Sequence, residues 1–328
     1  MGNIHLRSYG PRATVPSRGI PWTISHVRAK PPGFEPNHPE HVSCIEMRIG
    51  RLYHRFVGYL MELVWDPATS TYFSDPVGTV FFVEYGLDDG RGVVRYAITC
   101  RHVIEGLIRN NCDHGFLRVN DPHGQGLDFP TNPREWVLSE RADVAAIRFD
   151  LPAEETYWAY PIERTPEGIM DAQTVFFIGM FALVPGATSV QAIVRTGTIA
   201  RHSSSIPLCF QADPKESIES IVHLIEMRSW GGESGSPVFV YDERSPEDQY
   251  YTDPGYLGRH QARPHLLGML HGQLEVEKTV SQGGQPIGTS RANSWIGVVI
   301  PIGDIQTLLR EADVFVVERS SAGGTGSS

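Results

Sequence analysis

Gly231-Gly232-Glu233-Ser234-Gly235-Ser236-Pro237, running straight into Val238-Phe239-Val240, is the sharpest feature of the chain. Glycines on both sides of a serine let the backbone take dihedrals that a Cβ forbids, and they let another chain come close to the main chain. The Ser234 hydroxyl can then stand outward. The amide N–H groups of Gly232 and Ser234 can converge on one point, the arrangement of an oxyanion hole. The same small residues would also make a plain β-turn, so the stretch needs partners elsewhere before it means chemistry.

Two other places could supply them. Ile98-Thr99-Cys100-Arg101-His102-Val103 ends an apolar strand, and a histidine just past a buried strand end is rigidly held yet able to face a cleft. Arg141-Ala142-Asp143-Val144-Ala145-Ala146-Ile147 sets an aspartate directly before another apolar strand. Taken singly, the first reads as a structural histidine and the second as a turn or cap residue. In chain order they are a base, an acid and a hydroxyl, the three groups that nucleophilic hydrolysis needs.

The surroundings read as strands. Short β-branched and aromatic runs such as FVGYLMELVW (56–65), GTVFFVEY (78–85), TVFFIGMFALV (174–184) and WIGVVIPI (295–302) are bounded by Gly, Pro, Asp or Asn. Helical periodicity is evident only after Pro301, where Ile302, Ile305, Leu308 and Leu309 share a face and Asp304 suits the first turn. Ten or more strands with one terminal helix predict an all-β architecture, and parallel α/β is disfavoured because helices do not alternate with strands.

Composition sets the outer limits. With 328 residues, 41% hydrophobic and 20% charged, the chain can bury a sizeable core. Its net charge of −10 makes it a poor general ligand for nucleic acid. Cys44, Cys100, Cys112 and Cys209 show neither CxxC pairing nor zinc-ligand spacing, so no metal is expected and a reducing compartment is the easier reading. The first twenty residues hold no apolar signal core, and the longest apolar run, 175–184, is too short to span a bilayer. A cytoplasmic protein without membrane contact is therefore expected. Residues 1–40, rich in Pro, Arg and His, read as an extended arm, and 318–328 as a disordered Gly/Ser tail.

Together these motifs resemble the trypsin-like serine peptidases of the chymotrypsin fold. Thr99 to His102 is similar to that family's T-A-A-H, Asp143 to Ile147 to its D-I/V-A-L-L/I, and Gly232 to Pro237 to its G-D-S-G-G-P, with Glu233 and Ser236 as departures. Gly78-Thr79-Val80-Phe81-Phe82, Thr174 to Gly179, Val194 to Ile199 and Gly297-Val298-Val299-Ile300-Pro301 resemble landmarks of the disulfide-free bacterial HtrA-type branch. The resemblance spans about residues 55–312. It implies two six-stranded antiparallel β-barrels, at about 55–150 and 170–302, with a C-terminal helix over about 302–312, inside a domain at 41–317. No PDZ domain is expected.

The resemblance also implies roles. Ser234 would be the nucleophile, His102 the general base and Asp143 its orienting acid, with Gly232 and Ser234 forming the oxyanion hole and no cofactor required. The family's cysteines are replaced by Val103 and Trp230. Secreted members bury a freed N-terminal amine against the acid preceding the serine; here that acid is Glu233 and no I-V-G-G-like activation site is present. Arg228, six residues before Ser234, falls where relatives form the floor of the S1 pocket. His271 falls on the pocket-wall strand. Both are expected as substrate-binding residues, and a cation there would favour an acidic P1 side chain. The loops at 241–264 and 273–294 are expected beside the groove. The expected partners are a protein or peptide substrate and a regulatory protein. The rival readings are a catalytically silent peptidase-fold binding or scaffold module, and an esterase of the same fold.

Overall fold

The computed structural model describes residues 51–322 apart from 87–91, 113–114, 150–158, 163–164, 167, 187, 209–216, 229–231, 242–263 and 283–284. The 1–40 arm, the body of the 241–264 loop and Trp230 lie outside the described residues.

Strands β1 (Val57–Asp66), β2 (Thr71–Gly86), β3 (Val93–Thr99), β4 (Gly115–Asn120), β5 (Gly126–Thr131), β6 (Val137–Leu138), β7 (Ala145–Arg148) and β8 (Tyr160–Pro161) form the first sheet. Its order is β5-β4-β1-β2-β3-β7-β6, antiparallel along this path, with β8 added parallel to β2. Strands β9 (Thr174–Gly179), β10 (Ile193–Leu208), β11 (Ile218–Glu226), β12 (Pro237–Tyr241), β13 (Pro264–Gln282) and β14 (Gln285–Pro301) close into a six-stranded barrel, β10-β11-β14-β13-β12-β9. The all-β expectation and the second barrel therefore hold. Among the described residues the first unit is an eight-stranded antiparallel sheet with β8 added in parallel, consistent with the expected first barrel.

The continuous apolar runs follow from burial on both faces. In β9, Val175 and Phe177 fill the barrel interior while Phe176 and Ile178 join the core shared with the first sheet. In β12, Val238 and Val240 point inward and Phe239 outward to that shared core. Successive strand residues face opposite sides, so a strand with two buried faces loses the polar alternation of a surface strand. Phe176 and Phe239 stack at 5.1 Å, with Tyr53 and Tyr160 edge-on to the pair. This aromatic seam belongs to the core that the two units share.

Three elements differ from the sequence reading. A helix, α1 (Arg101–Arg109), carries His102; at nine residues it is too short to show a full periodic pattern, although His102, Val103, Ile104 and Leu107 form its buried side. The second helix, α2 (Ile302–Ala322), runs past the expected end near 312; nothing in its sequence breaks a helix before Gly323. The expected loop at 273–294 is a β-ribbon made by β13 and β14, whose connecting residues Gly283 and Gly284 are a two-residue hairpin signal.

One buried base marks the barrel wall. His223 on β11 accepts a bond from the Ser203 amide at 3.3 Å, beside the stacked His202 ring. Burial, and then the neighbouring His202, push its pKa down from the usual 6.5 to about 4. The unfolded chain therefore takes up a proton before the folded chain does, and stability is lost as pH falls from about 6.5 towards 4. His223→Asn is expected to flatten the fall in melting temperature across that window. Equal slopes for the two proteins would remove His223 as its source.

Candidate active site

Asp143 is the fixed point of the site. It lies just ahead of β7 with 0% of its surface exposed. Its Oδ1 accepts the backbone N–H of His102 at 2.9 Å, and its Oδ2 faces His102 Nδ1 at 2.6 Å. Two bonds to one residue, one through main chain and one through the ring, leave the imidazole a single orientation. With Nδ1–H donated to the carboxylate, Nε2 is left as the acceptor. The first turn of α1 supplies that amide, because the first amides of a helix have no partner within it.

A second imidazole shares the carboxylate. His271 Nδ1 also bonds Asp143 Oδ2, and the two rings stand edge to face with centroids 5.2 Å apart. Burial alone would raise the Asp143 pKa, but the two imidazoles and their hydrogen bonds bring it well below the usual carboxylate range. Cys100 completes the surroundings, its Sγ facing the Leu270 carbonyl at 3.4 Å. Burial, then the Asp143 charge, push the thiol up, so Cys100 stays protonated.

Cys100, His102 and Asp143 offer ligand atoms within 4.8 Å of one another. Two ligands of one tetrahedral zinc stand about 3.3 Å apart. The 2.6 Å between His102 Nδ1 and Asp143 Oδ2 is a hydrogen-bond length instead, so the set as arranged is bonded to itself.

The serine loop takes the shape its glycines allow. Gly232 and Gly235 have φ of +93° and +88°. A Cβ on Gly235 would lie 2.0 Å from the Thr79 carbonyl oxygen, so no side chain fits there. The loop is tied down by Ser236, whose amide and hydroxyl both donate to the Glu233 carbonyl, at 3.0 and 2.6 Å. Gly235 N–H reaches the Leu270 carbonyl at 2.9 Å. Among the described residues no acceptor faces the Gly232 and Ser234 amides.

Thr79 joins this loop to the first sheet. Its amide donates to the Ser234 carbonyl at 3.0 Å, and its hydroxyl to that of Gly232 at 3.2 Å. Its own carbonyl accepts from the Thr99 hydroxyl at 2.7 Å. The sequence marked Gly78-Thr79 as a landmark but gave it no role.

The Ser234 hydroxyl donates to the His271 carbonyl at 2.9 Å. Among the described residues no hydrogen bond joins it to His102. The structure thus brings His102, Asp143 and His271 together through one carboxylate, and Ser234 to the same group through the His271 main chain.

Glu233 turns inward, 1% exposed, and accepts from Arg195 Nε on β10 at 2.7 Å. The Arg195 guanidinium also lies over the Phe181 ring. The counter-charge that the resemblance assigns to an N-terminal amine is supplied here from within the barrel.

The two specificity residues sit otherwise than expected. Arg228 is exposed, with its guanidinium over the Trp295 ring at 6.0 Å. Met227 takes the buried position one residue earlier, so Arg228 faces the opposite way, as the period of two in extended chain demands. His271 is on the expected strand, and its ring is 5% exposed and turned onto Asp143.

The trypsin-like peptidase domain family matches residues 78–244, about half the chain. No curated protein matches the sequence. Similar solved structures include Deg5, 15% identical over 79% of this chain and 88% of that one, with a TM-score of 0.42. The MamO protease domain from Magnetospirillum magneticum in its apo form is 17% identical, over 78% and 98%, with a TM-score of 0.39. The active form of the Rv3671c protease from M. tuberculosis is 17% identical, over 78% and 80%, with a TM-score of 0.42.

Proposed function

This chain belongs to the trypsin-like peptidase family, and from that premise we propose that it is a serine endopeptidase that cleaves a protein substrate through Ser234, His102 and Asp143. The observation that carries the reading is the double bond pattern between His102 and the buried Asp143, set across the domain seam from a serine flanked by two positive-φ glycines.

The chemistry follows in order. Substrate entering the groove draws the Ser234 hydroxyl from the His271 carbonyl towards His102 Nε2. His102 takes the proton as Ser234 Oγ attacks the scissile carbonyl carbon. Asp143 stabilises the imidazolium. The Gly232 and Ser234 amides receive the developing oxyanion, each worth about 3 kcal/mol. His102 then gives its proton to the departing amine, and water hydrolyses the acyl-enzyme by the same steps.

The exposed placement of Arg228 over Trp295 lends no support to the acidic P1 preference expected from it. Narrow specificity or a partner protein restrains the activity.

A peptide library tests the reading. Wild type is expected to cut and Ser234→Ala to cut nothing. No cleavage by wild type would favour the silent binding module, the reading that the Ser234–His271 bond supports.

A further inference from the structure

We propose that His271 is a positioning residue that couples the acid of the site to its nucleophile, the ring holding the Asp143 carboxylate while the main-chain carbonyl holds the resting Ser234 hydroxyl. The inference deepens the peptidase reading and rests on it.

Backbone geometry makes this possible. Along β13, Leu270 pairs with Val299 and Gly272 with Val298, so His271 is the extra residue of a β-bulge. A bulged residue leaves the ladder locally and its side chain is re-aimed. Here the bulge turns the His271 ring across the seam onto Asp143 Oδ2 and frees its carbonyl to accept from Ser234. The neighbouring Leu270 is tied to the serine loop on both sides, its carbonyl accepting from Gly235 N–H and its amide donating to the Ser236 carbonyl. Any shift of His271 is therefore felt by the loop.

The carboxylate explains the use of a second imidazole. Oδ1 is committed to the His102 amide, and Oδ2 has lone pairs for two further donors. The bonds from His102 engage both oxygens, and His271 adds a further bond that resists rotation of the carboxylate about Cβ–Cγ. His271 holds the carboxylate plane together with His102 and the Cys100 side chain. Four groups face its ring or carbonyl: Asp143 and His102 by hydrogen bond and ring contact, Ser234 by hydrogen bond, and Cys100 through the adjoining Leu270 carbonyl.

Two measurements test this. Proton NMR of the wild-type chain is expected to show two far-downfield imidazole N–H resonances. His271→Asn should remove one and Asp143→Asn both. A single resonance that survives His271→Asn unchanged would overturn the shared carboxylate.

The second measurement is the rate at which a fluorophosphonate labels Ser234. His271→Leu keeps the volume but loses the donor and should slow labelling about tenfold or more, whereas His271→Asn, with an N–H near the old Nδ1, should stay within about threefold of wild type. Equal rates for the Leu and Asn variants would overturn the positioning role. Two resonances in a chain that never labels would sink the peptidase reading and leave the sharing of Asp143 standing, so the two failures are distinct.

Discussion

Asp143→Asn is expected to lower the rate of peptide hydrolysis about 10⁴-fold while leaving the fold intact. The size of the loss comes from tautomer choice. Asp143 presents acceptors only, to the His102 amide and to two imidazole N–H groups. An asparagine has one oxygen and an NH₂ group, and cannot accept from three donors lying on both sides of its amide plane. If its oxygen stays with the His102 amide, the NH₂ faces Nδ1. His102 then carries its proton on Nε2 and cannot take one from Ser234. The low pKa of Asp143 implies that the ionised form persists to strongly acidic pH. Loss of activity in mildly acidic solution should therefore come from other groups. A kcat reduced less than about tenfold in Asp143→Asn, with the melting temperature unchanged, would show that the carboxylate does not set the tautomer.

Arg195→Met is expected to destabilise the fold by about 1–3 kcal/mol and to suppress labelling of Ser234, because it removes one cationic partner from a carboxylate that is 1% exposed. Glu233 is the residue before the nucleophile, and its carbonyl accepts both bonds from Ser236 that shape the loop. A Glu233 side chain that moves out to find water carries that peptide with it and disperses the amides of Gly232 and Ser234. The double variant Arg195→Met/Glu233→Gln should regain much of the stability, since no charge is then left buried. Arg195 was not legible as a functional residue. It lies near the start of a 16-residue strand, 38 residues from its partner, and nothing in the local sequence points it at Glu233. An Arg195→Met protein as stable as wild type would show that Glu233 needs no internal counter-ion.

The candidate residues that the sequence singles out share a cause. Ser234, His102 and Asp143 each stand where an apolar run stops or starts, and the structure joins His102 to Asp143. Such junctions leave marks in composition. The second barrel was legible because strands buried on both faces, such as β9 and β12, read as unbroken apolar runs. What sequence could not give was direction. Arg228 and Met227 exchange inward and outward roles on a shift of one residue. His271 was placed on the right strand, but the bulge that aims it at Asp143 depends on pairing with β14, which has no local signature. Helix α1 was missed because two turns of amphipathic chain after a strand look like more strand.

The most direct test is the mass of the intact chain after exposure to diisopropyl fluorophosphate, with the adduct mapped to a residue. A single adduct on Ser234 in the wild-type chain, absent from Ser234→Ala and from His102→Ala, is the outcome the proton relay predicts. An adduct that forms as fast in His102→Ala, or that maps to any other residue, would contradict it.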